Sequence, residues 1–155
     1  MQRKRLDLNA VYISERVQKC LHAIADSALT AVVAPMGYGK TTAVNWFLAE
    51  QSRVENALVV RVSIYSENLQ VFWKSLQNAF AAAGLTVLDG CDCPQDANGA
   101  AMLLDDLCAA LQGGWACYLF LDDFHLLQDD RAADFLCALA GRLPDNAHLI
   151  VASRN

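Results

Sequence analysis

A glycine-containing loop between an apolar run and a helical pattern constrains the fold of this chain most. Leu29–Val33 is a run of apolar and β-branched residues, which predicts a strand buried on both faces of a parallel sheet. The loop at residues 34–39 follows at once, and residues 40 to about 51 then carry apolar side chains at helical spacing. In parallel α/β sheets, a strand, a glycine loop and a helix in this order form a phosphate-binding turn.

The loop and the helix start carry groups suited to a nucleotide triphosphate. Glycines permit backbone angles that other residues rarely adopt, so that successive N–H groups can point at one anion. The helix N-terminus adds about half a positive charge. Lys40 is placed to reach the β- and γ-phosphates, Thr41 to join a magnesium shell and Thr42 to bond the α-phosphate. With ATP or ADP and Mg²⁺ as ligands, the predicted nucleotide-binding residues are Pro35, Met36, Gly37, Tyr38, Gly39, Lys40, Thr41 and Thr42.

The loop departs from the generic pattern GxxxxGK[ST] at one position. Ala34 stands where that pattern has its first glycine. The alternative interpretation is a chance GxGKTT sequence in an ordinary strand–helix turn. An acidic strand end later in the chain argues against this alternative.

The strand with this acidic end lies at residues 117–123. The apolar residues 117–121 predict a third strand, and Asp122 and Asp123 follow at the edge of the sheet where ligands of open α/β folds bind. We expect Asp122 to hold Mg²⁺ through water, and Asp123 to act as a catalytic residue that polarises an attacking water. The alternative is that both carboxylates cap a helical turn at residues 124–127.

Two further polar residues follow strand ends. His125 is either a sensor of the γ-phosphate or a loop histidine bonded to backbone. Residues 148–152 predict a fourth strand, with Arg154 shortly after it. If this strand lies between the first and the third, Arg154 faces the γ-phosphate as a catalytic or sensing cation; otherwise it is a solvated residue.

Strands alternate with helices along the chain, which predicts a parallel α/β sheet with right-handed crossovers. Ser14 is the expected N-cap of the first helix. A second strand is predicted at residues 57–64, a surface loop at 89–97, and helices at 14–26, 69–83, 100–111 and 130–142. We expect residues 1–12 to be a flexible N-terminal segment and residues 13–155 to form one domain.

Charge and composition exclude some classes of function. The net charge of −5 argues against direct nucleic-acid binding by the domain as a whole. No apolar run reaches the roughly 18 residues that a membrane span needs. The cysteines mostly fall in helical and strand patterns, where a reduced cysteine acts as a small hydrophobe, so a cytoplasmic location is predicted.

Three segments together resemble the STAND-type ATPase module of large ATP-binding LuxR-type (maltose-regulator-like) transcriptional regulators. They are APMGYGKTT at residues 34–42, LFLDDFHLL at 119–127 and LPDNAHLIVASRN at 143–155. The loop of that family typically reads APxGxGKTT, its acidic strand ends in two aspartates followed closely by histidine, and its fourth strand ends in Ser-Arg. Residues 66–85 also resemble its helix after the second strand.

The resemblance implies a three-layer P-loop NTPase fold whose mostly parallel sheet has the order 2-3-4-1 and is truncated before a fifth strand. It implies a switch in which ADP holds a resting state and ATP with an inducer drives self-association, with weak magnesium-dependent hydrolysis. Family members continue with C-terminal sensor and DNA-binding regions that these 155 residues lack. The first strand would then be an exposed edge. The alternatives are a metabolic or AAA-like P-loop ATPase or kinase with fast turnover, and a degenerate interaction module.

Overall fold

A parallel sheet lies at the centre of the computed structural model, which describes residues 14–34 and 39–154. Within these residues the sheet has four strands in the order β1-β4-β3-β2. They are β1 (Leu29–Val33), β2 (Leu58–Ser63), β3 (Cys117–Asp122) and β4 (Ala147–Ser153). All neighbouring pairs are parallel. The predicted α/β class and the strand order 2-3-4-1 are confirmed.

Five α-helices connect and cover these strands in the described part of the chain. They are α1 (Glu15–His22), α2 (Lys40–Glu55), α3 (Leu69–Ala82), α4 (Ala97–Leu111) and α5 (Asp130–Arg142), with short 3₁₀ turns at Ala23–Asp26 and Phe124–Leu126. Ser14 caps α1 as predicted, because its hydroxyl accepts a hydrogen bond from the Val17 N–H. Helix α4 begins three residues before the predicted position, since the Asp96 carboxylate accepts from the Gly99 N–H at 2.7 Å.

The two faces of the sheet pack against different helices. On β3, Tyr118 and Phe120 belong to the core cluster that includes α1 and α2, whereas Leu119 and Leu121 belong to the cluster that includes α3, α4 and α5. Side chains alternate between faces along a strand, so Asp122 continues the row of Tyr118 and Phe120. This alternation turns the last residue of β3 towards α2.

The exposure of strand β1 contradicts one prediction. The run Leu29–Val33 was expected to be buried on both faces, but Leu29 is 43% and Val33 is 55% exposed. In the described chain β1 is an edge strand that pairs with β4, and Val32 packs against the cluster on the α2 side. The expected exposed edge is therefore confirmed. An apolar run indicates what a strand can bury, but not whether neighbouring elements cover both of its faces.

The segment at residues 89–97 is mostly exposed, as predicted, but one of its residues is buried. Cys93 is buried, and the carbonyl of Cys91 accepts hydrogen bonds from Trp73 Nε1 at 2.9 Å and Gln77 Nε2 at 2.7 Å. Two side chains of α3 thus hold this segment against the core. Turn-forming residues predicted its irregular backbone and its position at the surface, but not the burial of Cys93.

Across the described ranges, every helix falls short of the length and apolarity that crossing a bilayer requires.

The cysteines provide a test of this burial pattern. Burial raises the pKa of the Cys117 thiol to about 12, and only a thiolate reacts readily with iodoacetamide. Cys20 and Cys137 are exposed. In the native protein we expect iodoacetamide to modify Cys20 and Cys137 while Cys117 stays unmodified, as measured by peptide mass spectrometry over time.

The denatured protein is the control, because all six cysteines should then react. Labelling of native Cys117 as fast as that of Cys20 would show that β3 is not a buried strand.

Candidate nucleotide site

The central contact of the site joins the start of α2 to the end of β3. Thr41 lies in the first turn of α2, and Asp122 is the last residue of β3. The Thr41 hydroxyl donates to Asp122 Oδ1 at 3.0 Å and to Oδ2 at 2.9 Å, across 81 positions of sequence. The two residues predicted as magnesium ligands therefore lie in direct contact. Both are half-buried.

The N-terminus of α2 has the properties of an anion site. Gly39 precedes it with φ of 73°, a left-handed conformation that favours glycine, and its carbonyl accepts from the Ala43 N–H at 2.9 Å. No side chain of the described residues caps this 16-residue helix at its start. As far as the described residues go, its first N–H groups and the positive end of its dipole can therefore serve an external acceptor.

The remaining predicted loop residues divide into two groups. Lys40 is half-buried and Thr42 exposed in the first turn of α2, beside Thr41. The other predicted contacts lie outside the described residues: Pro35, Met36, Gly37 and Tyr38. Their roles stay predictions from the sequence.

Asp123 begins a sharp turn directly after β3. Its φ is 59°, a left-handed conformation that is uncommon for a residue with a side chain. Its N–H donates to Asp122 Oδ1 at 3.0 Å, and its carbonyl accepts from the Leu126 N–H at 3.0 Å. The Asp123 side chain makes no capping bond to the 3₁₀ turn Phe124–Leu126. Asp122 accepts from the amide of Asp123, which precedes the turn, so neither carboxylate is seen to cap residues 124–126.

His125 and Arg154 meet at the same edge of the sheet. The Arg154 N–H donates to His125 Nδ1 at 3.1 Å, which matches the second of the two interpretations of His125, a bond to backbone. Strand β4 lies between β1 and β3, so the condition set for Arg154 is met, and its exposed side chain follows the carboxyl end of β4. Sequence reasoning missed this bond, because no local pattern links residues 29 positions apart.

Replacing Thr41 with valine tests the central contact without any ligand. Valine keeps the shape but removes the donor to a carboxylate, so the free energy of unfolding should fall by about 1–2 kcal/mol. We expect the same change in an Asp122→Ala background to cost much less, because the acceptor is already gone. Urea denaturation of the two single variants and the double variant measures the difference. Additive losses would mean that the two side chains do not interact in solution.

Solved structures share this fold at low sequence identity. A chain of the Drosophila ORC bound to DNA aligns with a TM-score of 0.56 and 17% identity, covering 90% of this chain and 74% of that one. Cdc6p from Pyrobaculum aerophilum aligns with a TM-score of 0.56 and 16% identity, over 90% of this chain and 38% of its own. PCH-2 from C. elegans aligns with a TM-score of 0.50 and 17% identity, covering 94% of this chain and 39% of that one. This chain thus spans well under half of the latter two proteins, and the likeness shows the fold alone.

The sequence itself also matches a family. No curated protein matches the chain significantly. The model of the AAA domain family matches residues 24–151, a range that contains the glycine loop, α2 and the acidic end of β3. Because this match covers most of the chain and includes both halves of the candidate site, the chain belongs to the AAA domain family of P-loop ATPases.

Proposed function

We propose that this chain is the ATP- and ADP-binding switch module of a signal-transduction ATPase, of the kind found in LuxR-type transcriptional regulators. The observation that supports nucleotide binding is the contact of Thr41 with Asp122 at the start of α2, which no described side chain caps. The switch role rests on the family resemblance of residues 34–42, 119–127 and 143–155. It brings a hydroxyl, a carboxylate and a positive helix end together at one edge of the sheet. P-loop ATPases bind nucleotide with magnesium through such a set of groups.

The donor set suits magnesium. Mg²⁺ prefers hard oxygen ligands at 2.0–2.1 Å in an octahedron, in which adjacent ligands are about 2.9 Å apart. The Thr41 and Asp122 oxygens are separated by 2.9 and 3.0 Å, so they can occupy neighbouring positions with little movement. In the proposed site Thr41 binds the ion directly, and Asp122 binds it directly or through a water molecule. The ion would neutralise phosphate charge.

The other residues would act on the phosphates and on the attacking water. Lys40 binds the β- and γ-phosphates, while Thr42 and the amides of residues 35–39 complete the cradle. Asp123, the residue that follows Asp122, would orient a water molecule for attack. Arg154 at the end of β4 senses the γ-phosphate and stabilises the charge that develops on it.

The partners follow from the resemblance and from the charge. Sensor and DNA-binding regions would lie outside these 155 residues, and self-association would depend on ATP. The net charge of −5 supports a module that does not itself bind DNA. DNA binding belongs to the Drosophila ORC structure and is not carried over to this chain.

A matched pair of lysine variants tests nucleotide binding. Lys40→Ala should weaken binding of labelled ATP with magnesium by about 10- to 100-fold, because it removes a charged hydrogen-bond donor from the phosphates. Lys74→Ala removes an exposed lysine from α3, on the opposite side of the sheet, and should leave the affinity unchanged. Equilibrium titration measures both.

Equal ATP affinity in the wild-type protein and the Lys40→Ala variant, or no binding by either, would leave the degenerate interaction module as the better description.

The rate of ATP hydrolysis separates a switch from the alternative, a metabolic or AAA-like enzyme with fast turnover. The family match is compatible with both. We expect hydrolysis below about 0.01 s⁻¹, the range of intrinsic hydrolysis by P-loop switch proteins. Asp123→Asn should lower this rate at least about 10-fold and change ATP affinity little, since it removes the group that orients water. Phosphate release under saturating ATP measures the rate. A wild-type rate above about 1 s⁻¹ would favour the alternative.

A further inference from the structure

The turn after β3 reverses the chain towards β4. The left-handed conformation of Asp123 starts the reversal, and hydrogen bonds from the Leu126 N–H to Asp123 and from the Leu127 N–H to Phe124 close the turn. His125, in the middle of this turn, is thereby placed against the residue that follows β4. The side chain of His125 thus connects the ends of β3 and β4, beyond the point where the two strands stop pairing.

The bond that joins them has a defined direction. A backbone N–H can only donate, so the Arg154 amide donates to His125 Nδ1, and the neutral ring carries its proton on Nε2. The residue before Arg154 is also held, because the Ser153 carbonyl accepts from the Ala34 N–H at 3.2 Å. The backbone at the end of β4 is therefore tied to the β3 turn on one side and to the start of the glycine loop on the other.

These contacts form a continuous path around the candidate site. It runs from Thr41 to Asp122, through the turn at Asp123 to His125, and from His125 to Arg154. The groups proposed to hold magnesium and the cation proposed to sense the γ-phosphate are thus connected through one short turn, at residues 123–126.

We propose that His125 is a positioning residue that fixes the backbone of Arg154 relative to the carboxylates of β3, and that this bond provides selectivity for ATP over ADP. The inference rests on the proposed function, because it needs Arg154 to act on a γ-phosphate. ADP has no γ-phosphate, so loosening Arg154 weakens the binding of ATP and leaves that of ADP unchanged. His125 itself touches no phosphate in this scheme.

Two substitutions separate the bond from the bulk of the side chain. In His125→Asn the amide Oδ1 lies as many bonds from the backbone as Nδ1 and can accept in its place. His125→Leu keeps a side chain of similar size without an acceptor. Since His125 is only half-buried, both variants should fold, which their thermal melting verifies.

Amide hydrogen exchange followed by NMR tests the bond in nucleotide-free protein. We expect the Arg154 amide to exchange at least about fivefold faster in His125→Leu than in the wild type, since one hydrogen bond is lost. His125→Asn should restore most of the protection. Equal exchange in the wild type and the leucine variant would show that the bond does not form in solution.

Titration with ATP and with ADP, each with magnesium, tests the consequence. His125→Leu should weaken ATP binding about 3- to 10-fold, as expected for one hydrogen bond, and change ADP binding less than twofold. His125→Asn should bind both nucleotides nearly as the wild type does. In an Arg154→Ala background, His125→Leu should cause no further loss for ATP, because the group that it positions is absent.

The outcomes distinguish the two proposals. If the protein does not bind ATP, or if Lys40→Ala leaves ATP binding unchanged, the proposed function is overturned and this inference with it. Binding that depends on Lys40, with an unchanged ratio of ATP to ADP affinity in His125→Leu, overturns only the role of His125. Equal weakening of both nucleotides in that variant also overturns it, because it would indicate a general structural effect.

Discussion

The candidate site depends on the parallel pairing of β3 between β2 and β4. In this position β3 is buried on both faces, and the alternation of its side chains turns Asp122 towards α2. The same pairing brings the ends of β3 and β4 to one edge of the sheet, where α2 also begins. If β3 shifted by one residue, Asp122 would lie on the opposite face, away from Thr41.

Charge of both signs is concentrated at that edge. The start of α2, which none of the described side chains caps, and Lys40 favour an anion, while the paired aspartates favour a cation. A magnesium nucleotide supplies both charges at once, which neither a simple anion nor a metal ion alone does. Asp123 takes a left-handed backbone conformation, which aspartate adopts more readily than most residues with a side chain, and this starts the turn directly after β3.

Much of the site could be identified before the structure was known. Thr41, Asp122, Asp123 and Arg154 were selected because each follows a strand end or begins a helix, and the structure brings all four to the same edge. The individual contacts could not be identified, since neither the bond of Thr41 with Asp122 nor that of His125 with Arg154 leaves a local pattern. The burial of Cys93 and the exposure of the Leu29 and Val33 side chains were missed for a similar reason: each depends on which distant element lies above the residue.

The sequence by itself determined the phosphate-binding motif, the alternation of strands and helices and the choice of acidic residues. These features depend on neighbours within a few positions, through side-chain periodicity, helix caps and the conformational freedom of glycine. The strand order came only from a family resemblance and not from any periodicity in the chain. Tertiary structure decided that the Leu29 and Val33 side chains are exposed, that Thr41 bonds to Asp122 and that His125 accepts from the Arg154 N–H. The physical reason is that burial and pairing are settled between segments tens of residues apart, where the stability of a contact depends on everything else that packs around it.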